Sequence, residues 1–375
     1  MENKSNINSN SSNKNKNSVQ QTSRLQQWLE NIWYSNTSSK RWGLFSLIPL
    51  SALYCSINRF QRFQNRHPKA PLPCPVIVVG NITVGGTGKT PLALHLVNLL
   101  KQAGYKPAII TRGYGGKATT WPQTITANSD PKMVGDEAVL MASRSQVPVY
   151  AGADRLASIE ALCKAHDCDV IISDDGMQHY KLPRDIQIAV LDGSRMLGNG
   201  WCLPAGPLRE KKQRLESCDF LVVNGEIAES ANNKKDILAE QPFFTMNLKS
   251  GNLIHLSAYE QQSDQPKKAK NKNSFNDKKV HAVTGIGNPS RFFNALETQE
   301  GLQLITHSFP DHHDFSESDL QFDDDLPVVI TEKDAVKCRQ FLERDKNNNI
   351  WVLPVTAELD GGFNDAFLKK LLSVK

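Results

Sequence analysis

Short apolar runs alternate with helical patterns along the middle of the chain. Apolar residues recur with helical spacing at, for example, residues 91–102, 137–144 and 156–166. Unbroken apolar strands separated by helices are typical of a parallel sheet that is covered on both faces. This α/β pattern predicts ligand binding at the carboxyl ends of the strands. The six predicted strands are residues 76–79, 108–111, 147–151, 170–173, 186–191 and 220–223.

The pattern changes near residue 242. Two short apolar runs, 243–248 and 253–256, flank a Lys-Ser-Gly-Asn sequence and predict a β-hairpin. A polar stretch at residues 261–279 predicts a solvated insertion. Strand and helix patterns then alternate again in residues 280–375. We therefore expect a second, smaller α/β lobe that is joined to the first by a β-ribbon, with the active site in the cleft between the lobes.

The N-terminal region begins polar and becomes apolar. Residues 1–18 are mostly Asn, Ser and Lys, so they cannot bury enough apolar surface to offset chain entropy, and we expect disorder. Apolar residues between 25 and 33 lie on one face of a predicted helix. The uncharged run 42–57 follows, with basic residues on both sides.

The run 42–57 has two interpretations. It is shorter than the about 20 residues that span a bilayer, and Pro49 would kink a helix near its middle. Its cationic flanks and the nearby Trp28, Trp33 and Trp42 suit the headgroup region, which favours a membrane-embedded or re-entrant helix. The alternative is a short helix in the core of the folded protein.

Composition narrows the possible functions. The chain has 375 residues, of which 39% are hydrophobic, and a net charge of +5. Part of that charge lies in the polar segments, so nucleic-acid binding is not indicated. The seven cysteines form no C-x-x-C pair. We expect reduced thiols in a cytosolic compartment, without a disulfide framework or a zinc site.

A glycine-rich segment follows the first predicted strand. The sequence GNITVGGTGKTP occupies residues 80–91, before a helical pattern. Glycines let backbone N–H groups surround an anion, while Lys89 can reach terminal phosphates and Thr90 can ligate Mg²⁺. The pattern G-x-x-x-x-G-K-[ST] fails only where Thr83 replaces the first glycine. An ordinary glycine-rich turn is the alternative. The predicted nucleotide-binding residues are Thr83, Val84, Gly85, Gly86, Thr87, Gly88, Lys89 and Thr90.

Acidic residues follow a second strand. Asp174 and Asp175 end the predicted strand 170–173, and Gln178 lies shortly after them. A carboxylate at a strand end beside a phosphate loop is a typical place to hold Mg²⁺. The alternative is an Asp pair that caps a turn.

Two further segments carry candidate catalytic groups. Asp136 opens a predicted helix, where an acidic residue is common because of the helix dipole, or where it could accept a proton from an attacking hydroxyl. His312 lies in the sequence Asp-His-His-Asp of the second lobe. Next to a carboxylate of the first lobe, His312 would form an acid–base or orienting pair; a metal cluster and an inconsequential surface histidine are the alternatives.

Arginines lie near several predicted strand ends. Arg112, Arg155 and Arg209 could each form a surface salt bridge. Their common location on the carboxyl side of the sheet instead favours contact with phosphate or an anionic substrate.

Nine segments, in order along roughly residues 40–360, resemble the tetraacyldisaccharide 4'-kinase family, the lipid A pathway kinases of Gram-negative bacteria. Because Thr83 belongs to the family's own loop, the departure from the usual phosphate-loop pattern agrees with the resemblance. The segments are GNITVGGTGKTP (80–91), TRGYGG (111–116), VGDE (134–137), AGADR (151–155), DDGMQH (174–179), PAGPLRE (204–210), GIGNPSRFF (285–293), FPDHHDF (309–315) and TEKDAVK (331–337).

The resemblance implies ATP and Mg²⁺ as cofactors, and γ-phosphoryl transfer to the 4'-hydroxyl of a tetraacylated glucosamine disaccharide 1-phosphate. It also implies Asp136 as the base, paired with His312. The resemblance also implies that the enzyme acts at the cytoplasmic face of the inner membrane. Its partner would be the lipid substrate, with no nucleic acid and no obligate protein partner. The resemblance further implies Lys89, which would hold phosphate, and Arg155 as catalytic residues, with Arg209 and Glu210 completing the site. The implied metal-site residues are Thr90, Asp175, Asp174, Gln178 and Glu210.

Rival classes remain. A P-loop ATPase or GTPase switch protein at the membrane would bind nucleotide, and a GTPase would show a guanine-reading N-K-x-D run. A dinucleotide oxidoreductase would need G-x-G-x-x-G after Gly285, but Ser290 occupies the last position. A non-catalytic scaffold leaves Lys89, Asp136 and Asp175 unexplained.

The predicted organisation is a disordered polar tail (1–23), a membrane-associated helical segment (24–66), a P-loop kinase core (67–241), a β-ribbon linker with a polar insertion (242–279) and a C-terminal α/β lobe (280–375).

Overall fold

The computed structural model describes residues 29, 32–34, 46–65, 72–228, 242–260, 279–298, 300–341 and 349–374. The tail predicted for residues 1–23 and the polar insertion at 261–278 lie outside these ranges. The described elements form two sheets, each with its own helices. The predicted α/β class, with a larger and a smaller lobe, is confirmed.

The larger sheet has nine strands in the described ranges, with the edge strands antiparallel to their neighbours and the others parallel. The strands are β1 (Val76–Gly80), β2 (Pro107–Thr111), β3 (Gln123–Ile125), β4 (Val149–Ala151), β5 (Val170–Asp174), β6 (Ile186–Asp192), β7 (Phe220–Asn224), β8 (Phe244–Ser250) and β14 (Val355–Leu359). Their order is β14-β8-β7-β6-β1-β5-β2-β4-β3. All six predicted strands of this lobe are confirmed.

Helices cover both faces of the larger sheet. Ile77 of β1 belongs to the same apolar cluster as Leu92 of the following helix, whereas its neighbour Val78 packs in a second cluster with Ile159. Because successive side chains of a strand point to opposite faces, burial on both faces requires the unbroken apolar run. The helices are α1 (Ile48–Gln64), α2 (Lys89–Gln102), α3 (Pro131–Val134), α4 (Asp136–Ser145), α5 (Arg155–Ala165) and α9 (Phe363–Val374).

The smaller sheet is also mostly parallel. Its strands are β9 (Ile254–His255), β10 (Lys279–Thr284), β11 (Gln303–Ser308), β12 (Val328–Thr331) and β13 (Ile350–Leu353), in the order β11-β10-β12-β13-β9, with β9 antiparallel to β13. Its helices are α6 (Leu256–Glu260), α7 (Pro289–Thr298) and α8 (Glu332–Cys338). Short 3₁₀ helices lie at Lys212–Ser217, Glu317–Asp319 and Arg339–Phe341.

The hairpin predicted around residue 250 is wrong. Its two runs become β8 and β9, which pair in different sheets, and β8 instead pairs antiparallel with β14. The predicted C-terminal lobe therefore loses residues 355–374, because β14 and α9 join the first lobe. Phe363 and Phe367 of α9 are fully buried beside Phe220 in the core of the larger lobe. The chain thus crosses between the lobes twice.

The N-terminal helix differs from the predicted run. Helix α1 begins at Ile48, so Pro49 lies in the first turn, where proline causes no kink, and the helix continues past the uncharged run to Gln64. No helix within the described ranges has the length and apolarity needed to cross a membrane. The spanning form of the predicted N-terminal membrane helix therefore finds no support there.

Helix α1 packs against the loop that follows β6. Ser51 Oγ donates to the Cys202 carbonyl at 2.8 Å, and Asn58 Nδ2 donates to the Arg209 carbonyl at 2.8 Å. Cys55 is disulfide-bonded to Cys202, 147 residues away. The expectation that all cysteines are reduced is thus wrong for this pair, whose spacing in sequence gives no sign of contact.

Candidate active site

The phosphate-binding loop has the geometry predicted for it. It connects β1 to α2, and Gly88 caps the helix with a φ of +95°. A Cβ at Gly88 would lie 2.4 Å from Nδ2 of Asn224, which donates to the Thr87 carbonyl at 2.9 Å. Glycine is therefore required here by both conformation and space. The Val84 N–H donates to the Pro207 carbonyl, which fixes the other side of the loop.

Lys89 and Arg209 both contact Asp175. Lys89 Nζ lies 3.5 Å from Asp175 Oδ1, and Arg209 Nη1 lies 3.2 Å from Oδ2. Burial alone would raise the pKa of Asp175, but the two cations hold its pKa below the usual value. The carboxylate is therefore ionised beside the phosphate-binding loop, where a divalent cation on a nucleotide requires it.

Asp174 and Arg155 form a buried layer beneath these groups. Burial, together with the charge of Glu137, raises the pKa of Asp174 to about 7. Arg155 donates to the backbone carbonyls of Gly152 at 2.8 Å and Asp174 at 3.1 Å, and only 2% of its surface is exposed. Burial lowers the pKa of Arg155 to about 10, so it stays cationic at neutral pH. Arg155 thus holds two strand ends together.

Gln178 and Glu210 are connected to each other. Gln178 Nε2 donates at 3.0 Å to the Asn81 carbonyl and to Glu210 Oε1. Glu210 also lies 3.5 Å from Arg214 Nε. Gln178 therefore holds the start of the phosphate-binding loop, Glu210 orients Gln178, and the charge of Glu210 is balanced by Arg214.

Asp136 and His312 meet across the two lobes. Asp136 is the first residue of α4 and is 5% exposed. His312 Nδ1 lies 3.1 Å from Asp136 Oδ2, and His312 has a φ of +60°. Burial would raise the pKa of Asp136, but the hydrogen bond with His312 and the nearby lysines lower it. The same hydrogen bond raises the pKa of His312.

Two lysines of α8 complete this cluster, and the sequence analysis did not single them out. Lys337 Nζ lies 3.7 Å from Asp136 Oδ2, and Lys333 Nζ donates to Glu137 Oε1 at 3.1 Å and to Asp311 Oδ1 at 3.2 Å. Lysines four residues apart lie on one face of a helix. Their position directly after a buried strand was the signal that could have identified them.

The second lobe also contacts the phosphate-binding loop. A Cβ at Gly287 would lie 3.7 Å from the backbone nitrogen of Gly86. Arg291 Nη2 donates at 2.9 Å to the Asn224 carbonyl and lies 2.9 Å from Asp192 Oδ1. The phosphate-binding loop and the Asp136–His312 pair thus lie in one cleft between the lobes.

Of the remaining candidates, His313 lies apart from Asp136. His313 Nε2 contacts Asp319 Oδ2 at 3.1 Å, and its ring stacks on Phe309. Burial lowers the pKa values of Arg155 and His179, and the nearby charge of Arg112 lowers both further. Of the predicted nucleotide-binding residues, Thr83 pairs with Leu208 in an isolated β-bridge, and the Gly85 carbonyl accepts from Asn81 Nδ2 at 3.4 Å. Thr90 follows Lys89 in the first turn of α2.

A nucleotide switch needs only the phosphate-binding loop, whereas here a second lobe brings a histidine to a buried carboxylate beside that loop. This arrangement defines a phosphotransferase with a P-loop fold. The family profile described as "LpxK: Tetraacyldisaccharide-1-P 4'-kinase" matches residues 44–372. The chain belongs to this family of ATP-dependent kinases of lipid A biosynthesis, as its motifs predicted.

Relatives agree over most of the chain. The tetraacyldisaccharide 4'-kinase of Nitrosococcus oceani is 44% identical, over 90% of this chain and 93% of its own length. That of Hahella chejuensis is 40% identical, over 93% and 98%. A crystal structure of LpxK from Aquifex aeolicus in complex with ATP superposes with a TM-score of 0.68 at 26% identity, and covers 88% of this chain and 99% of that one.

The sequence test proposed for a GTPase, the presence of an N-K-x-D run, does not exclude that class. An N-K-x-D run does occur, at residues 233–236, but these residues lie outside the described ranges. Family membership, rather than the presence or absence of that run, decides in favour of the kinase.

Proposed function

We propose that the chain transfers the γ-phosphoryl group of ATP to the 4'-hydroxyl of a tetraacyldisaccharide 1-phosphate at the cytoplasmic face of the inner membrane. The observation that carries this proposal is the Asp136–His312 pair, which joins the two lobes beside the phosphate-binding loop. A positioned proton acceptor near the nucleotide phosphates is what transfer to an alcohol needs.

The loop fits a nucleotide with its metal ion. Thr87 Oγ1 and Asp174 Oδ1 are buried and have no hydrogen-bond partner among the described residues. Backbone N–H groups from residue 83 to residue 90 would hold the phosphates, and Lys89 would bind the terminal ones. Thr90 and Asp175 would hold Mg²⁺, with Asp174 behind them. When bound, Mg²⁺ neutralises charge on the phosphates.

Asp136 would accept the proton of the attacking hydroxyl. His312 donates its Nδ1–H to the carboxylate and so fixes its orientation. This hydrogen bond and the charges of Lys333 and Lys337 keep Asp136 ionised against the effect of burial. Because Asp136 is ionised at neutral pH, it is ready to accept a proton. Arg155, Gln178 and Glu210 act in this proposal as positioning residues, since their polar atoms already contact protein groups.

An acylated substrate explains an unusual face of α1. Leu50, Leu53, Ile57 and Phe60 lie on one face of the helix and are 47–60% exposed. The opposite face binds the active-site loop through Asn58 and the Arg209 carbonyl. An amphipathic helix at the lipid surface would bring the cleft to the headgroup of a substrate whose acyl chains stay in the bilayer.

The test is to supply γ-labelled ATP, Mg²⁺ and tetraacyldisaccharide 1-phosphate in mixed micelles to the purified chain. We expect label at the 4'-position of the lipid. A protein that hydrolyses ATP without labelling the lipid, as a nucleotide switch would, contradicts the proposal. A reaction with the substrate lacking its 4'-hydroxyl, which should give no labelled lipid, is the control.

A further inference from the structure

Three cysteines converge far from the nucleotide site. Cys74 precedes β1, Cys168 precedes β5, and Cys163 lies in the last turn of α5. Strands β1 and β5 are parallel neighbours with Val76 opposite Ile171, so the residues before them lie side by side. Helix α5 runs back along the sheet and ends at this same edge. The fold itself therefore assembles the three thiols.

The separations of the thiols suit a metal ion. The three Sγ atoms lie within 4.8 Å of one another, and Cys163 Sγ is 3.9 Å from Cys168 Sγ. Three sulfurs bound at about 2.3 Å to one ion in trigonal or tetrahedral geometry lie roughly 3.8–4.0 Å apart. Small side-chain movements would thus be enough to close the coordination.

We propose that Cys74, Cys163 and Cys168 form a binding site for one soft, thiophilic metal ion such as Zn²⁺ or Cu⁺. Thiolate sulfur selects these ions over Mg²⁺, which prefers oxygen. Binding replaces the protons of the three thiols by the metal ion and releases those protons to solvent. This site is chemically distinct from the oxygen-lined nucleotide site.

The number of ligands defines the kind of site. Within the described residues, no histidine nitrogen or carboxylate oxygen joins the three sulfurs at this separation. The nearby Asp169 carboxylate accepts from the Lys106 N–H instead. A three-thiolate site suits trigonal binding, or a fourth position filled by a water molecule or a small ligand.

The site has a route to solvent. A groove of about 400 Å³ lies beside it and is lined by Leu72, Glu160, Cys163 and Lys164, among others. Cys74 is buried, whereas Cys163 and Cys168 are half-buried. An ion entering by the groove would reach Cys163 first.

The site can affect stability without taking part in phosphoryl transfer. Cys168 lies just before β5, and Asp174 is the last residue of that strand, so the two are about 20 Å apart at roughly 3.3 Å per residue. An ion there would tie the starts of two central strands to α5. Because it binds only the folded protein, it would raise the thermal unfolding temperature.

The test uses Cd²⁺ alone as the probe, added under anaerobic conditions to the reduced full chain carrying Cys55→Ser and Cys202→Ser, because reduction of that disulfide would otherwise expose a second pair of thiols. We expect one ion per chain, an ultraviolet sulfur-to-cadmium charge-transfer band of three thiolates, and a higher unfolding temperature. Each of Cys74→Ser, Cys163→Ser and Cys168→Ser should weaken binding by more than the about ten- to hundredfold that loss of an outer-shell partner costs. Cys338→Ala, in the second lobe, should bind like the parent protein.

Two results would overturn the site. The first is a lack of cadmium uptake by the fully reduced protein. This result would overturn the site even if peptide mapping of the untreated protein found Cys163 disulfide-bonded to Cys168. The second is uptake that persists unchanged in the triple serine variant. Binding of ATP by each variant reports whether it is folded, so a failed variant cannot be mistaken for a lost site.

Discussion

Asp136 and His312 belong to different lobes, and each changes how the other ionises. The hydrogen bond between them raises the pKa of His312 and, against the effect of burial, lowers that of Asp136. Folding thus favours the ion pair. Because the pair spans the cleft, it links the ionisation of the proposed base to contact between the lobes.

The pH dependence of stability follows from these shifts. A raised pKa in the folded state means that His312 stabilises fully below its ordinary value of 6.5, and that this stabilisation is lost as the pH rises through the raised value. The lowered pKa of Asp136 acts at the acid end: its contribution is present above 3.8 and is lost as the pH falls through the lowered value.

We expect His312→Gln to lower the thermal unfolding temperature most near pH 6 and progressively less in alkaline buffer. Unfolding scans across this range test it, with His166→Gln on the surface as the control. A His312→Gln effect that grows with increasing pH would show that the sign is wrong.

The residue scale also shows where sequence reasoning stops. Asp136 and His312 were matched through family motifs, since nothing in their separate segments says that they meet. Lys333 and Lys337 were missed because lysines on a helix are usually solvated, and only the packing of α8 against α4 reveals their role.

The phosphate-binding loop and the helix after it form a unit whose shape depends on one glycine. Gly88 has a left-handed conformation and lies against Asn224 and Met246. The sequence predicted this element almost to the residue, because its strand, loop and helix signals are local. Contact with Asn224 could not be predicted, since that residue lies on a strand far along the chain.

Gly88→Ala should therefore destabilise the protein by about 1–3 kcal/mol and also weaken ATP binding, because a non-glycine residue is strained at this φ. Urea unfolding and nucleotide titration measure the two effects. Gly361→Ala, where the structure leaves open space around an added Cβ, is the matched control. If the two variants proved equally stable, the left-handed geometry would be wrong.

Helix α9 shows a different limit. Its apolar spacing predicted a helix, but the same pattern could cover either sheet, so residues 355–374 were assigned to the wrong lobe. The aromatic contacts of Phe363 and Phe367 with Phe220 decide the matter in the folded chain. The predicted hairpin failed for the same reason, since local pattern does not specify the partner strand.

Phe367→Ala should cost about 3–5 kcal/mol, the usual range for a large buried aromatic residue. Because α9 packs on the larger sheet, the loss should appear as easier unfolding of the nucleotide-binding lobe, measured as the temperature at which bound ATP is released. Leu372→Ala, at a position that is 67% exposed, should change stability little. Equal effects of the two substitutions would place α9 elsewhere.

At the scale of the whole molecule, one loop connects the cleft to the apolar stripe of α1, which consists of Leu50, Leu53, Ile57 and Phe60. Helix α1 presents its apolar face outward and holds the loop at Arg209 by its other face. Arg209 in turn contacts Asp175 at the nucleotide site. In the proposed function, this connection would bring the cleft to the headgroup of a lipid whose acyl chains stay in the bilayer.

Replacing Leu50, Leu53, Ile57 and Phe60 by Ser should reduce binding to anionic phospholipid vesicles by tenfold or more while ATP binding is unchanged. These side chains are exposed, so the fold should tolerate the change, and each loses apolar area that would enter the membrane. Vesicle flotation measures the binding. Gln61→Ser with Gln64→Ser, also exposed on α1, serves as the control, and unchanged flotation of the quadruple variant would refute the role of the stripe.

The most direct test is single-turnover phosphoryl transfer by Asp136→Asn with saturating ATP and lipid. The amide keeps the size of the carboxylate but cannot take the hydroxyl proton. We predict a rate that is lower by about a hundred- to ten-thousandfold, with ATP affinity close to that of the parent. A rate near that of the parent protein would contradict the assignment of Asp136 as the proton acceptor.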